Sequence, residues 1–392
     1  MGTTQPETVG GAIVVVAKCP TPGLSKTRLV PMLGDEGAAM LARAMLSDVL
    51  SSLCGCPNLD GTLKVLLYAP GTKQGEMDMS SILRSLDMPY VSSPVPSPVL
   101  RTILVNNGWV LLPVSSTSSS SVGGGGGPSS SDLGPILADA LDRARELLIE
   151  TSKMMSSIPR PNFVPYANDH NNEGVLFLGM DSPELPMEEV VYGLRTSSGD
   201  GRLQLATPRR RRRRRDDDND DSRNGNGNGR YDDYVDGGER TTFAGKAHMC
   251  PANDGGYGLL SIPIHASSTR VFSGVRWSQP LTAISQLKAL TDIDGVDVSI
   301  GMLMFDVDEP SDVLDLVNRL TIRRRRGEEG EGKEGDDEPS RAYRRGEGGD
   351  SLTRKRSSSS FGGIDSVVST GMRGCFPHHT WRALIDLNVI HE

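Results

Sequence analysis

Short, wholly apolar runs alternate with longer stretches of helical periodicity along much of this chain. Residues 12–17 (AIVVVA) are apolar and β-branched throughout, the pattern of a strand buried on both faces. Residues 35–53 then place Ala38, Leu41, Ala42, Met45, Leu46 and Val49 at helical spacing. Residues 62–68 read as a second strand, and 103–114 as a third apolar segment interrupted at Asn106-Asn107-Gly108. An amphipathic helix is expected over 132–151 through Leu133, Ile136, Leu137, Ala140, Leu141, Ala144 and Leu147. Residues 174–180 (GVLFLGM) form another buried strand that stops at Asp181-Ser182-Pro183. After a long polar stretch the pattern resumes at Phe243. A strand is expected at 257–263, a helix at 280–290, a strand at 296–305, and helices at 312–320 and 381–390. Buried strands alternating with helices imply an α/β fold with a mainly parallel sheet covered on both faces. Ligands of such sheets sit where the carboxyl ends of the strands meet their loops.

Composition changes the picture of domain count. The chain has 392 residues, but 45 glycines, 25 prolines and tracts of Ser, Arg and Asp lower its apolar content to 36%. Residues 115–131 (serines and five consecutive glycines), 196–242 and 321–362 cannot build a core on that composition. One large domain over 11–320 is therefore expected, interrupted by inserts at 115–131 and 196–242. A low-complexity stretch over 321–362 follows, then a segment over 363–392 that supplies the candidate last helix. The run of arginines at 209–215 is followed at once by aspartates at 216–221, which favours a solvated loop over a phosphate or import signal.

A net charge of −8 does not describe a nucleic-acid binder, and neither nucleic acid nor membrane is expected as a partner. The first residues lack a basic segment leading into an apolar one, and no uninterrupted apolar run approaches the ~18 residues a membrane span needs. Five cysteines, Cys19, Cys54, Cys56, Cys250 and Cys375, follow no disulfide spacing and read as free thiols in a reducing compartment. A cytoplasmic location is the expectation.

Four polar clusters carry candidate chemistry. Lys18-Cys19-Pro20-Thr21-Pro22-Gly23-Leu24-Ser25-Lys26-Thr27-Arg28 follows the first strand and combines three cations with a proline-stiffened loop. Such a loop presents charge and backbone N–H groups to a phosphate, although a basic surface loop has the same composition. It is not a P-loop, because Pro20 and Ser25 stand where that motif requires glycine. Asp181-Ser182-Pro183 ends a buried strand, where a carboxylate suits Mg²⁺ or Mn²⁺; capping of a following helix is the alternative. Asp254-Gly255-Gly256-Tyr257 allows close backbone approach to a ligand, and a plain hairpin turn explains it equally well. Asp306-Val307-Asp308 follows a further strand and puts both carboxylates on one side if that strand continues, with Ser311 capping the next helix as the alternative. One phosphate loop and two acidic strand ends are what transfer from a nucleotide di- or triphosphate requires.

At these residues the sequence resembles a mostly bacterial group of GT-A-like proteins, the glycosyltransferase-A superfamily, also labelled radical-SAM-selenodomain-associated transferase 1. The resemblance runs from Ala12 to Leu320 through Lys18, Pro20, Pro22, Gly23, Lys26, Thr27, Arg28 and Leu29, then Asp132-Leu133-Gly134. Asp181-Ser182-Pro183, Asp254-Gly255-Gly256-Tyr257, Trp277-Ser278 and Asp306-Val307-Asp308 continue it in order. It departs at Val114, where the family has Gln, at Pro135-Ile136, where it has an acid and a base, and at Gln279, where it has Thr.

The resemblance implies a Rossmann-like GT-A fold of the nucleotide-diphospho-sugar transferase superfamily. It implies nucleotide contacts from Lys18, Pro22, Gly23, Lys26, Thr27, Arg28, Asp254, Gly255, Gly256 and Tyr257. Lys26, Arg28 and Asp181 would then carry the chemistry, and Asp181 and Asp308 would hold Mg²⁺ or Mn²⁺. The expected activity is metal-dependent transfer from a nucleotide or nucleotide-sugar donor to a small-molecule acceptor, by nucleotidyl or glycosyl transfer. The altered acceptor motifs leave a catalytically degraded nucleotide-binding module, or an interaction scaffold, as alternatives.

Overall fold

The computed structural model describes residues 10–115, 133–156, 174–197, 245–293, 296–331 and 376–390. Eight strands lie in one sheet: β1 (Ala12–Lys18), β2 (Leu63–Ala69), β3 (Tyr90–Ser92), β4 (Trp109–Pro113), β5 (Gly174–Gly179), β6 (Gly245–Pro251), β7 (Tyr257–Pro263) and β8 (Val296–Ile300). Their order is β3-β4-β2-β1-β5-β7-β6-β8, with β7 alone antiparallel to its neighbours. The helices are α1 (Val30–Cys54), α2 (Lys73–Ser85), α3 (Ser97–Val105), α4 (Leu133–Ser156), α5 (Met187–Ser197), α6 (Ser268–Val271), α7 (Thr282–Thr291), α8 (Pro310–Glu331) and α9 (His378–Asp386).

Strand periodicity divides the core. Ile13, Val15 and Ala17 of β1 pack with α1, α2 and α5, whereas Ala12 and Val14 pack with α3, α4, α6 and α7 on the other face. Helices therefore cover both faces, as the continuous apolar runs predict. A third cluster joins Leu29 and α1 to α8 and α9 through Leu41, Met45, Val313, Leu316 and Leu384. The segment Thr27–Cys54 is apolar and long enough to cross a membrane, but 78% of its apolar window is buried inside this fold. It is a core helix.

Several boundaries differ from those expected. The apolar segment over 103–114 is the end of α3 followed by β4, split where the Asn106-Asn107-Gly108 turn breaks the periodicity. Residues 301–305 leave the sheet after Ile300, retaining one bridge between Ala252 and Met304. Thr196 and Ser197, assigned to an insert by composition, are buried in the last turn of α5. Residues 321–331, assigned to the low-complexity stretch, continue α8. The terminal helix starts at His378 and docks on α1, where the Asp48 carboxylate accepts the N–H groups of His379 (2.9 Å) and Thr380 (2.7 Å). The remainder of both inserts, all of 332–375 and the motif residue Asp132 lie outside the described residues.

Candidate active site

The chain turns from β1 to one side of the sheet and later returns to its other side with β5, so β1 and β5 flank a switch in strand order. At such a point the loops leaving the two strands diverge and open a crevice at their carboxyl ends. The Lys18–Arg28 loop leaves β1 there and Asp181 follows β5. The β6–β7 turn carrying Asp254 and the segment after β8 carrying Asp306 and Asp308 reach the same edge.

Backbone bonds fix the first loop. Leu24 and Ser25 donate to the Thr21 carbonyl at 3.0 and 3.1 Å, the buried Ser25 hydroxyl donates to it at 3.2 Å, and Leu29 is plugged into the third core cluster. Lys26 consequently sits in the left-handed region at φ 47°, ψ 45°, a backbone state that costs a non-glycine residue about 1–3 kcal/mol. Two ion pairs oppose that cost: Lys26 Nζ donates to Asp181 Oδ2 at 2.9 Å and to Asp308 Oδ1 at 2.6 Å. The Lys26 side chain is 10% exposed and its two partners 33% and 35%. Burial by itself would lower the Lys26 pKa, but the Asp181 and Asp308 charges raise it above the usual lysine value. Burial would likewise raise Asp181, and the Lys26 ammonium overrides it and holds that carboxyl below the usual range. The ammonium is thus a charged bridge between two strand-end loops.

The acidic loops are also tied to one another. Val307 N–H donates to the Asp181 carbonyl (3.1 Å), Met304 N–H to the Pro251 carbonyl (2.8 Å), and Asn253 N–H to the Met304 carbonyl (3.2 Å). The Asp312 carboxylate, rather than Ser311, receives the N–H groups of Asp308 (3.0 Å) and Glu309 (2.7 Å) at the start of α8. These bonds bring carboxylate oxygens of Asp254, Asp306 and Asp308 within 4.8 Å of one another. Asp306 titrates at about 7, raised first by burial and then by the charges of Asp254, Asp181 and Asp308. The pocket holds more negative charge than Lys26 neutralises.

A cleft of about 280 Å³ opens here, lined by Val16, Lys18, Ser25–Arg28, Met180, Asp181 and Asp308. Lys18, Thr27 and Arg28 are exposed at its rim, whereas Pro22 and Gly23 of the same loop are exposed but do not line it. Arg28 lies 3.8 Å from Glu309 in a solvent-exposed pair worth about 0–1 kcal/mol, so its guanidinium remains available.

Other motif residues have local roles. Asp254 to Tyr257 do form a hairpin turn, with Asp254 Oδ1 accepting Gly256 N–H at 2.7 Å. Gly255 has φ +88°, and a Cβ there would lie 2.0 Å from the Pro280 carbonyl oxygen. The Tyr257 hydroxyl donates to Gln286 (3.1 Å) while its ring packs edge-on to Trp277, and burial pushes its pKa up. Glu184 is taken by Arg319 of α8 at 2.6 Å, and Leu185 is core. Of the expected site residues the structure therefore gathers Lys18, Lys26, Thr27, Arg28, Asp181 and Asp308 around one cleft. Asp254 joins through the carboxylate group, while Gly255, Gly256 and Tyr257 shape the turn behind it. Asp306 is the addition: alternation along a strand pairs it with Asp308, but the strand ends at Ile300 and a loop brings the two together instead.

No family model matches the chain, and no curated protein matches it. Among the solved structures that match is a protein from Desulfovibrio desulfuricans G20 bearing the provisional name nucleotide-diphospho-sugar transferase. It is 18% identical with a TM-score of 0.41, over 77% of this chain and 84% of that one.

Proposed function

We propose that this chain is a transferase that uses a nucleotide-activated donor and a divalent cation, Mg²⁺ or Mn²⁺. The observation that carries the reading is the Lys26 ammonium held between Asp181 and Asp308, beside the clustered carboxylates of Asp254, Asp306 and Asp308. Cations and carboxylates from four separate loops meet at the switch point of the sheet, where an α/β fold binds its ligand. The sequence resemblance implies the nucleotide-diphospho-sugar transferase superfamily, and that it rests on the same first-loop cations and strand-end carboxylates supports the reading.

The residues present fit a hard divalent ion. They offer oxygen donors only, they lie close together, and a cation would relieve both the burial of Asp306 and the repulsion from Asp254, Asp181 and Asp308 that together raise it to about 7. Asp306 and Asp308, with Asp254, would hold it, and Asp181, bridged to Asp308 by the Lys26 ammonium, stands beside them as a further oxygen donor. When bound, the ion supplies charge neutralisation for the donor's phosphates. Lys18 and Arg28 at the rim complete that neutralisation from the protein side, and the stiff loop holds them with no cost of reorganisation. Lys26 keeps its proton throughout and positions Asp181 and Asp308, so its ammonium can turn toward a leaving phosphate as the donor enters. The exposed face of the cleft leaves room for an acceptor aligned by binding.

Incubating the full chain with each NTP and NDP-sugar, with Mg²⁺ or Mn²⁺, tests the reading. Pyrophosphate release identifies nucleotidyl transfer, and NDP release identifies glycosyl transfer. Metal-assisted binding without turnover makes the chain a nucleotide-binding module, and neither binding nor release with any donor contradicts the proposal.

A further inference from the structure

A second cluster of ligating side chains lies on the α5 face of the sheet, away from the cleft lining. Glu189 stands in the first turn of α5, and His248 and Cys250 alternate onto the same face of β6. His248 Nε2 lies 2.7 Å from Glu189 Oε2 and 3.6 Å from Cys250 Sγ, and the His248 side chain is 2% exposed.

The surrounding hydrogen bonds assign the lone pairs. The Ser299 hydroxyl donates to the Ala247 carbonyl at 3.2 Å, so its oxygen accepts from His248 Nδ1–H at 3.0 Å. Nε2 of a neutral imidazole then carries a lone pair aimed at a carboxylate oxygen. Glu189 Oε1 meanwhile accepts Met302 N–H at 3.2 Å, which leaves Oε2 facing the ring. Two acceptors 2.7 Å apart need a proton or a cation between them.

Space is provided at Gly301. A Cβ at that position would lie 2.5 Å from Glu189 Oε2, 2.7 Å from Cys250 Sγ and 2.7 Å from His248 Cε1. Any other residue would plug the gap where these groups converge. We propose that Glu189, His248 and Cys250 form a three-ligand site for a zinc-class divalent ion, with Gly301 leaving the room and a fourth position open toward solvent past Glu189. The mixed nitrogen, sulfur and oxygen set suits Zn²⁺ and not the hard ion of the cleft. Tetrahedral bonds of ~2.05 Å to nitrogen and ~2.3 Å to sulfur put the two donors ~3.6 Å apart, as His248 and Cys250 already are. The carboxylate, at 2.7 Å from Nε2, must withdraw by ~0.7 Å to reach the ~3.4 Å such bonds require. Ser299 supplies the bond that orients a metal-bound histidine. Binding releases the thiol proton and the proton shared by His248 and Glu189, so that two protons leave for each ion bound. Because β6 leads into Asp254 and Gly301 into Asp306, the ion would brace both acidic arms from below.

The test is Zn²⁺ titration of the metal-free full chain, with Co²⁺ as an optical probe. One tight Zn²⁺ equivalent is expected, and a cobalt–thiolate charge-transfer band in the near ultraviolet. Asp308→Asn should leave the band unchanged. Cys250→Ala should abolish it and weaken Zn²⁺ binding at least ~100-fold, the upper part of the range seen even for outer-shell losses. Folded native protein showing no thiolate band, or Cys250→Ala binding Zn²⁺ as the native chain does, overturns the assignment.

Discussion

Replacing Lys26 by Met removes one ammonium and keeps the length of the side chain, so it isolates the bridge between Asp181 and Asp308. Breaking a buried ion pair costs about 3–5 kcal/mol, and an exposed one about 0–1 kcal/mol. With the lysine side chain 10% exposed and its partners about a third exposed, the expected loss is about 2–3 kcal/mol, or a fall in Tm of roughly 5–10 °C. The sign with pH follows from the shifts. The depressed Asp181 contributes stability that is present above the ordinary carboxylate pKa and lost as pH falls through its folded value. The raised Lys26 contributes stability present below the ordinary lysine pKa and lost as pH rises through its own folded value. The pair is therefore intact across neutral pH, and the deficit of the variant should persist from pH 5 to 9 and shrink in acid. Removing the ammonium also removes repulsion for a cation. At ~5 Å in a fully water-like dielectric, that repulsion of a divalent ion is about 1.7 kcal/mol, so Mg²⁺ or Mn²⁺ should bind the variant more than tenfold tighter. Thermal unfolding with EDTA and with Mg²⁺ measures both effects: a large deficit without metal, partly recovered with it, while donor binding stays impaired. Equal stability of variant and native protein, together with unchanged donor binding, would refute the bridge.

Because Asp306 titrates at about 7, cation affinity should climb about tenfold per pH unit below that value and level off above it, a dependence that Asp306→Asn removes in a calorimetric pH series. With its pKa raised above the unfolded carboxylate value, the same group lowers metal-free stability as pH rises from ~4 to 7, so melting in EDTA should improve on mild acidification in the native chain more than in the variant. Gly255→Ala forces a Cβ to 2.0 Å from the Pro280 carbonyl oxygen at a positive φ, and should cost about 2–4 kcal/mol in urea unfolding. Asp48→Ala removes the acceptor of the His379 and Thr380 N–H groups and should lower stability by about 1–2 kcal/mol, with Asp48→Asn retaining part of it.

The chain advertises its strands better than its site. β1 and β5 are continuous apolar runs buried on both faces, and the pattern of such a run can be read without any knowledge of its neighbours. β6 escapes because GKAHMCP mixes a cation, a histidine and a proline, residues placed there by the Glu189 cluster and the bulge at Pro251 rather than by strand propensity. α2 escapes because only Met79, Ile82 and Leu83 of its long polar sequence anchor it in the first core cluster. The first-loop cations and the strand-end aspartates were legible as types of residue in the right order along the chain. That Lys26 neutralises Asp181 and Asp308, and that Asp306 completes a carboxylate group with Asp254, depends on contacts across hundreds of residues, which no local pattern records.

The central claim is that ion and donor meet in one cleft between the β1 loop and the acidic strand ends. Calorimetric titration of NTPs and NDP-sugars into the full chain, with Mg²⁺ or with EDTA, tests it most directly. The account predicts saturable binding of at least one donor that needs the cation and falls at least tenfold in Asp308→Asn. Donor binding of equal strength in EDTA and in Asp308→Asn, or none under any condition, would contradict it.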